Sequence, residues 1–196
     1  MARTQAANYD DIRRGILSRA AAVFAEKGYA RATIFDLAEA CGISRGALYH
    51  YFTSKEAILN EMLLSHLDLM YEETLAAANV GGDPEARLRS VIRSMVMVNA
   101  GSQKEQIVLL NDLSNLEDAE RRVIVKKQND IVAVFSQMIL ALDGGRKIDA
   151  KNLKAYTFMY LGMINYTYLW YDPAGPVPPE TYARMVSDAV IAGIRE

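Results

Sequence analysis

The sequence predicts an all-α protein of about nine helices, a small three-helix unit followed by a larger helical domain. Three observations predict it. Apolar residues recur at helical spacing along the chain, and no stretch alternates as a half-buried strand does. Glycines, prolines and N-cap residues interrupt that pattern where helices would start and stop. Between Thr33 and Lys55 these signals fall so close together that two short helices and a tight turn are what fits.

Residues 1–9 are polar and predict a mobile tail. The first helix is expected from about Asp10 to Lys27, with Ile12, Ile16, Ala20, Val23 and Phe24 as its apolar stripe and Gly28 as its stop. Thr33 is an N-cap, and Asp36 three residues on has the capping-box spacing. Leu37 and Ala38 supply the inward face of this second helix. Gly42 ends it, because glycine tolerates the left-handed backbone of a C-terminal turn. Ile43 plugs the turn, Ser44 caps the third helix, and Leu48 and Phe52 point back to the core at i, i+4 spacing. Thr53 or Ser54 starts a fourth helix that runs without a breaker to about Ala78, its apolar face including Ile58, Met62, Leu63, Leu67 and Met70. This helix is expected to link two domains rigidly, at 1–55 and 56–196.

Val80-Gly81-Gly82 is a break, and Asp83-Pro84 reads as an N-cap followed by an N1 proline. The fifth helix then reaches about Asn99, with Leu88, Val91, Ile92, Met95 and Val96 inward. A shorter sixth carries Ile107, Leu110 and Leu113. The seventh, from about Glu117 to Leu142, begins charged and turns apolar before Gly144-Gly145. The eighth, from about Asp149 to Tyr171, is apolar nearly all round after Ala155. A helix apolar on every face must be buried on every face, and one subunit of this length hardly encloses it, so a partner subunit is inferred. Pro178-Pro179 opens the ninth, with Tyr182, Met185, Val186, Ala189 and Val190 on one stripe.

Half the residues are apolar, which allows a sizeable core in one large or two small domains. No run of ~20 apolar residues offers a membrane span, and the N-terminus lacks an apolar signal segment, which predicts a cytoplasmic protein. A single cysteine, Cys41, excludes an internal disulfide and gives no metal cluster. The charge is divided unevenly. Residues 1–55 carry 8 Lys and Arg against 5 Asp and Glu, and residues 56–196 carry 14 against 19. The positive excess lies on the segment with the two short helices, as expected if only this part meets phosphate.

With Leu48 and Phe52 inward, the third helix leaves Arg45, Gly46, Tyr49 and His50 outside. A short helix with a small N-terminal residue, a basic side chain and aromatic donors outside is shaped to enter a DNA major groove. Arg3 is a candidate arm toward the same DNA. The Phe24, Lys27-Gly28-Tyr29 helix end, the helix-turn-helix, Leu48-Tyr49-His50-Tyr51-Phe52, Ser54-Lys55 and the long fourth helix together resemble the TetR family of bacterial transcriptional regulators. The likeness is specific over about residues 10–60; beyond Lys55 only the number and length of helices match.

The resemblance implies an all-α homodimer in which the helices at about 149–171 and 179–194 pair with their copies, and which binds a palindromic double-stranded operator. Carried to matching positions, it implies that Arg45, Gly46 and Tyr49 face base edges, and that Thr33, Ser44, His50, Tyr51 and Lys55 hold phosphates. It also implies a small-molecule effector in the second domain. Methionine suits adaptable apolar cavities and tyrosine adds polar handles. The expected lining is Met62, His66, Met70, Met95, Phe135, Met138, Tyr156, Met159, Tyr160 and Met163, with Arg87, Arg89, Arg93 and Arg122 as rim cations for an anionic ligand. The run from Met163 to Tyr171 followed by Pro176 resembles members that respond to acyl- or aryl-CoA compounds. Repression relieved by ligand is the commoner arrangement in the family.

No cofactor is expected: there is no glycine-rich phosphate loop and no metal-ligand spacing. Cys41 has no orienting acid or oxyanion site in the pattern, so an enzyme is not expected either. The alternative is a helical ligand-binding or scaffold module that no longer reads DNA.

Overall fold

Backbone sterics and capping set the helix ends. The computed structural model describes residues 2–196, with side chains from Tyr9 onward; the side chain of Arg3 lies outside the described residues. Among those residues there are nine α-helices and no strand: α1 (Ala2–Lys27), α2 (Ile34–Cys41), α3 (Arg45–Tyr51), α4 (Lys55–Ala78), α5 (Pro84–Gly101), α6 (Gln103–Asn111), α7 (Asp118–Asp143), α8 (Leu153–Asn165) and α9 (Pro179–Arg195). Short 3-10 turns cover Leu113–Asn115 and Tyr166–Leu169.

Three boundaries differ from the sequence expectation, one of them the start of α8, at Leu153 and not near Asp149. Helix α1 begins at Ala2, not near Asp10. Five of residues 2–7 are good helix formers, three alanines, one arginine and one glutamine, with no glycine or proline to stop them. Helix α8 ends at Asn165, not at Tyr171, and tightens into the 3-10 turn. There Thr167 turns its hydroxyl onto the Ile164 carbonyl at 2.8 Å, the local bond by which threonine competes with a helical ladder.

The chain forms two compact units: residues up to His66 with Lys104–Ile124, and Leu67–Gln103 with Val125–Glu196. Helix α4 passes unbroken from the first into the second. In the first unit α1 packs on α2, and α2 on α3. Ile16, Phe24, Leu37, Leu48, Phe52 and Ile58 are all buried, each large side chain contributing about 1.5–3 kcal/mol. The turn between α2 and α3 is closed by Gly42 at φ 67°, whose N–H reaches the Ala38 and Glu39 carbonyls. Residues 104–124 join the unit through Asp112, which accepts the Tyr29 backbone N–H at 3.4 Å.

In the second unit α5 is the hub, packing against α9 and α8. Leu88, Val91, Ile92, Met95 and Val96 fill its inner face. Asn99 adds a buried tie, donating from Nδ2 to the Ile164 carbonyl at 3.2 Å at the end of α8. Asp143, the last residue of α7, is fully buried and accepts the backbone N–H groups of Lys147 and Ile148. Burial works to raise its carboxyl pKa, but those amides outweigh it and hold it below the usual carboxylate range.

Where α8 meets α9, backbone meets ring edge. A Cβ placed on Gly193 would lie 2.8 Å from the Tyr160 hydroxyl oxygen. Tyr160 is 2% exposed and has no room to withdraw. Gly193→Ala is therefore expected to lower stability by about 1–3 kcal/mol. Tyr160→Phe should restore most of the loss, since that hydroxyl has no hydrogen-bond partner of its own. Thermal unfolding of the single and double variants checks this; a double variant no more stable than Gly193→Ala would refute the contact as the cause.

Candidate DNA interface and effector region

Two capped helices aim the outer residues of the first unit. Thr33 is the N-cap of α2: its Oγ1 accepts the Asp36 N–H at 3.2 Å and donates to Asp36 Oδ2 at 2.7 Å. Asp36 also receives Lys27 Nζ at 2.6 Å. The Lys27 bond, then the Thr33 bonds, hold the Asp36 carboxyl down at about 2. Ser44 caps α3 by accepting the Ala47 N–H at 3.1 Å on Oγ, which leaves its own O–H free to donate.

These caps bring Thr33, Ser44, Arg45, Gly46 and Tyr49 around one open groove of about 640 Å³, together with Ile34 and Phe35. Tyr49 is 53% exposed. A Cβ on Gly46 would meet only Ser44 Oγ at 3.8 Å, an ordinary contact. Internal packing therefore does not require glycine there; the open space faces the groove.

His50 and Tyr51 stand beside this groove in an aromatic cluster with Tyr9. The Tyr9 and Tyr51 ring centroids are 4.9 Å apart, and His50 meets Tyr51 edge-on at 5.5 Å. Tyr9 falls in the stretch whose polar composition predicts a tail, so only the folded chain brings it to this cluster.

Lys55 makes contacts of its own within the subunit. Its Nζ donates to the Tyr29 and Ala32 carbonyls at 2.9 Å each and sits 4.2 Å from the Tyr29 ring centroid. Two of the three ammonium donors are committed to the loop before α2, and one remains for a phosphate. A positioning role accompanies any DNA contact.

The expected effector residues divide three ways. Met62 and His66 are buried in the first unit. Met70, Met95, Phe135 and Tyr160 are buried in the second, with Met138 and Tyr156 half-buried there. Tyr156 and Tyr160 lie ring to ring at 6.0 Å. Met159 and Met163 do not join the interior. They are 54% and 38% exposed, on the outer side of α8 with Phe158. Helical phase put them one turn from buried neighbours but could not tell this subunit's core from a face left for another.

Of the rim cations, Arg89 is paired with Glu85 and Asp188, and Arg93 with Glu180. Arg122 is exposed. Among the described residues no group of acidic, histidine and cysteine side chains could hold a metal, and no helix is long and apolar enough to cross a membrane.

His66 is the most unusual of these side chains. Its Nε2 lies 3.1 Å from Gln106 Oε1, an acceptor, so Nε2 carries the proton. Nδ1 is then a buried acceptor without a partner. Burial lowers the imidazole pKa, and this outweighs the Gln106 bond, which raises it. The unfolded chain therefore takes up this proton at a higher pH than the folded one. Stability should fall as pH drops below the ordinary histidine value, ~6.5, and level off below the folded pKa. Unfolding of wild type and His66→Gln from about pH 7.5 to about pH 5.5, one unit either side of that value, checks this; equal slopes would refute it.

The first unit is thus a helix-turn-helix with its polar recognition face open to solvent. Residues 16–62 match the family model described as bacterial regulatory proteins, tetR family. Residues 81–194 match the one described as tetracyclin repressor-like, C-terminal domain. The transcriptional repressor KstR2 of Rhodococcus jostii is 27% identical over 185 residues, spanning 93% of this chain and 90% of that protein. The crystal structure of a TetR-family transcriptional regulator from Bordetella parapertussis superposes with a TM-score of 0.87 at 33% identity, over 91% of this chain and 93% of that one. AibR, solved with isovaleryl coenzyme A and operator DNA, shares the fold at a TM-score of 0.77 and 24% identity, over 93% and 97% of the two chains.

The chain belongs to the TetR family of bacterial regulators. It is a DNA-binding transcriptional regulator, in a family in which dimerisation is typical.

Proposed function

We propose that this regulator is a repressor that binds a palindromic operator as a homodimer and is released by a small hydrophobic or acyl-/aryl-CoA-type effector. The groove that gathers Thr33, Ser44, Arg45, Gly46 and Tyr49 carries the DNA half of the reading. In it Arg45 takes a guanine edge, Gly46 lets the backbone approach, and Tyr49 lies against the bases. Ser44, His50, Tyr51 and the remaining Lys55 donor hold phosphates, and Thr33 offers its helix end. We assign residues 1–55 to DNA and 56–196 to effector binding and dimerisation, and place the protein in the cytoplasm.

The effector half is supported by Met70, Met95, Phe135 and Tyr160, all buried in the second unit. The CoA reading leans on the Met163–Tyr171 run and on isovaleryl coenzyme A as the ligand of AibR. Bound effector shifts the unbroken helix α4, and the two recognition helices then cease to match grooves ~34–36 Å apart; a few kcal/mol of differential affinity suffices. We also infer that the chain acts by binding and not by catalysis. Cys41 is half-buried and burial pushes its thiol pKa up, away from a reactive thiolate.

A footprint on duplexes selected from random DNA, repeated with a panel of short-chain and aromatic CoA thioesters, tests the whole reading. A protected palindrome that one thioester erases is expected. No protected palindrome would overturn the DNA half; a palindrome insensitive to the panel would overturn the CoA half.

A further inference from the structure

The groove of the DNA interface contains two side chains that cannot hydrogen-bond, the half-buried Ile34 and the larger, exposed Phe35. Phe35 is the second residue of α2 and is 61% exposed. The inner face of α2 is occupied by Leu37 and Ala38, which are 0% and 3% exposed, so the core has no need of Phe35. A single exposed apolar residue is ordinary on a protein surface. What sets Phe35 apart is its company, because the same groove is lined by Thr33, Ser44, Arg45, Gly46 and Tyr49. Gly46 adds no side chain to the space, and a Cβ there would still find room.

The floor of a DNA major groove offers hydrogen-bond acceptors, hydrogen-bond donors and one apolar group, the 5-methyl of thymine. A phenyl ring has neither donor nor acceptor. Against a guanine, adenine or cytosine edge it would leave a polar base atom dehydrated and unpaired, which is unfavourable. Against thymine it buries a methyl and part of its own exposed surface.

We propose that Phe35 is a base-reading residue that contacts a thymine 5-methyl in each half-site, so that α2 as well as α3 sets the operator sequence. This rests on the groove being the DNA interface. Arg45 and Tyr49 read polar edges, and Phe35 reads the apolar one. No covalent step is involved; discrimination comes from desolvating one methyl.

Deoxyuridine pairs as thymidine does but lacks the methyl, which makes it the direct probe. Duplexes are first selected from a random pool with the full chain. Each thymine of the selected site is then replaced by deoxyuridine, and affinity is measured for wild type and Phe35→Ala. One symmetric pair of thymines should stand out for wild type. Uracil there should weaken binding about fourfold in one half-site and about sixteenfold in both, the value of one buried methyl counted once and twice. Phe35→Ala should bind the thymine and uracil duplexes equally. Cytosine at that position should weaken wild type, and 5-methylcytosine should recover part of the loss. The exposure of Phe35 makes a folding defect in the alanine variant unexpected, and the uracil scan on wild type stands without it. If wild type selects a site but no uracil weakens it, or if Phe35→Ala loses as much as wild type at every position, Phe35 does not read a methyl. If wild type selects no duplex, it is the assignment of the interface that fails.

Discussion

Tyr49→Ala is expected to abolish operator binding and leave the dimer intact. The hydroxyphenyl group lies 53% exposed in the recognition groove, while Leu48 and Phe52, 1% and 3% exposed, anchor the helix to the core. Removing Tyr49 therefore takes surface from the DNA and almost none from the fold. A good base contact contributes about 1–3 kcal/mol, and a palindrome uses it twice. The loss is then at least about thirtyfold, enough to clear a gel shift at operator concentrations that wild type saturates. Size-exclusion elution and thermal unfolding should match wild type. A variant that still shifts the operator at wild-type concentration would remove Tyr49 from the interface.

Leu169→Glu is expected to give a folded monomer that no longer holds the operator. The 3-10 turn after α8 and the outer side of α8 carry a run of exposed apolar residues: Phe158, Met159, Met163, Tyr166, Leu169 and Trp170, with Met185 on α9. Leu169 is 64% exposed, so glutamate there stays solvated in one subunit. Against a second copy of the same face the carboxylate would be buried without a partner, at several kcal/mol. Operator affinity should fall with dimerisation, because the second half-site contact loses an effective-concentration advantage of about 10²–10⁴. Elution at the wild-type position would show that subunits meet elsewhere.

The parts of the molecule that local chemistry decides were readable in advance. Thr33 with Asp36, Gly42 and Ser44 fix the phase of α2 and α3, and once the phase is fixed the outward side of Arg45, Gly46 and Tyr49 follows. Asp83 caps α5 by accepting the Ala86 N–H at 2.8 Å, as its place before Pro84 implied. What escaped were the readings that need a neighbour. Phe35 shows its use only when Thr33, Ser44, Arg45, Gly46 and Tyr49 are found around the same groove. Tyr9 needs Tyr51 beside it before it means anything. The carbonyls that take two of the Lys55 donors belong to Tyr29 and Ala32, 26 and 23 positions earlier, so its positioning role shows only in the folded chain. Met159 and Met163 have the composition of a pocket lining but the exposure of an outer face, and no single chain distinguishes those two uses of methionine.

Trp170 is the sole tryptophan of the sequence. Its ring packs edge-on against Tyr171 and Tyr182 at 5.7 and 5.6 Å, yet it is 63% exposed within one subunit. The protein therefore carries a built-in optical reporter at the edge of its exposed apolar face. As subunits associate, water leaves the indole and its emission should move to shorter wavelength; on dilution it should return. The midpoint of that shift reads the dimer dissociation constant without a label, and emission in Leu169→Glu should keep the solvated wavelength at every concentration.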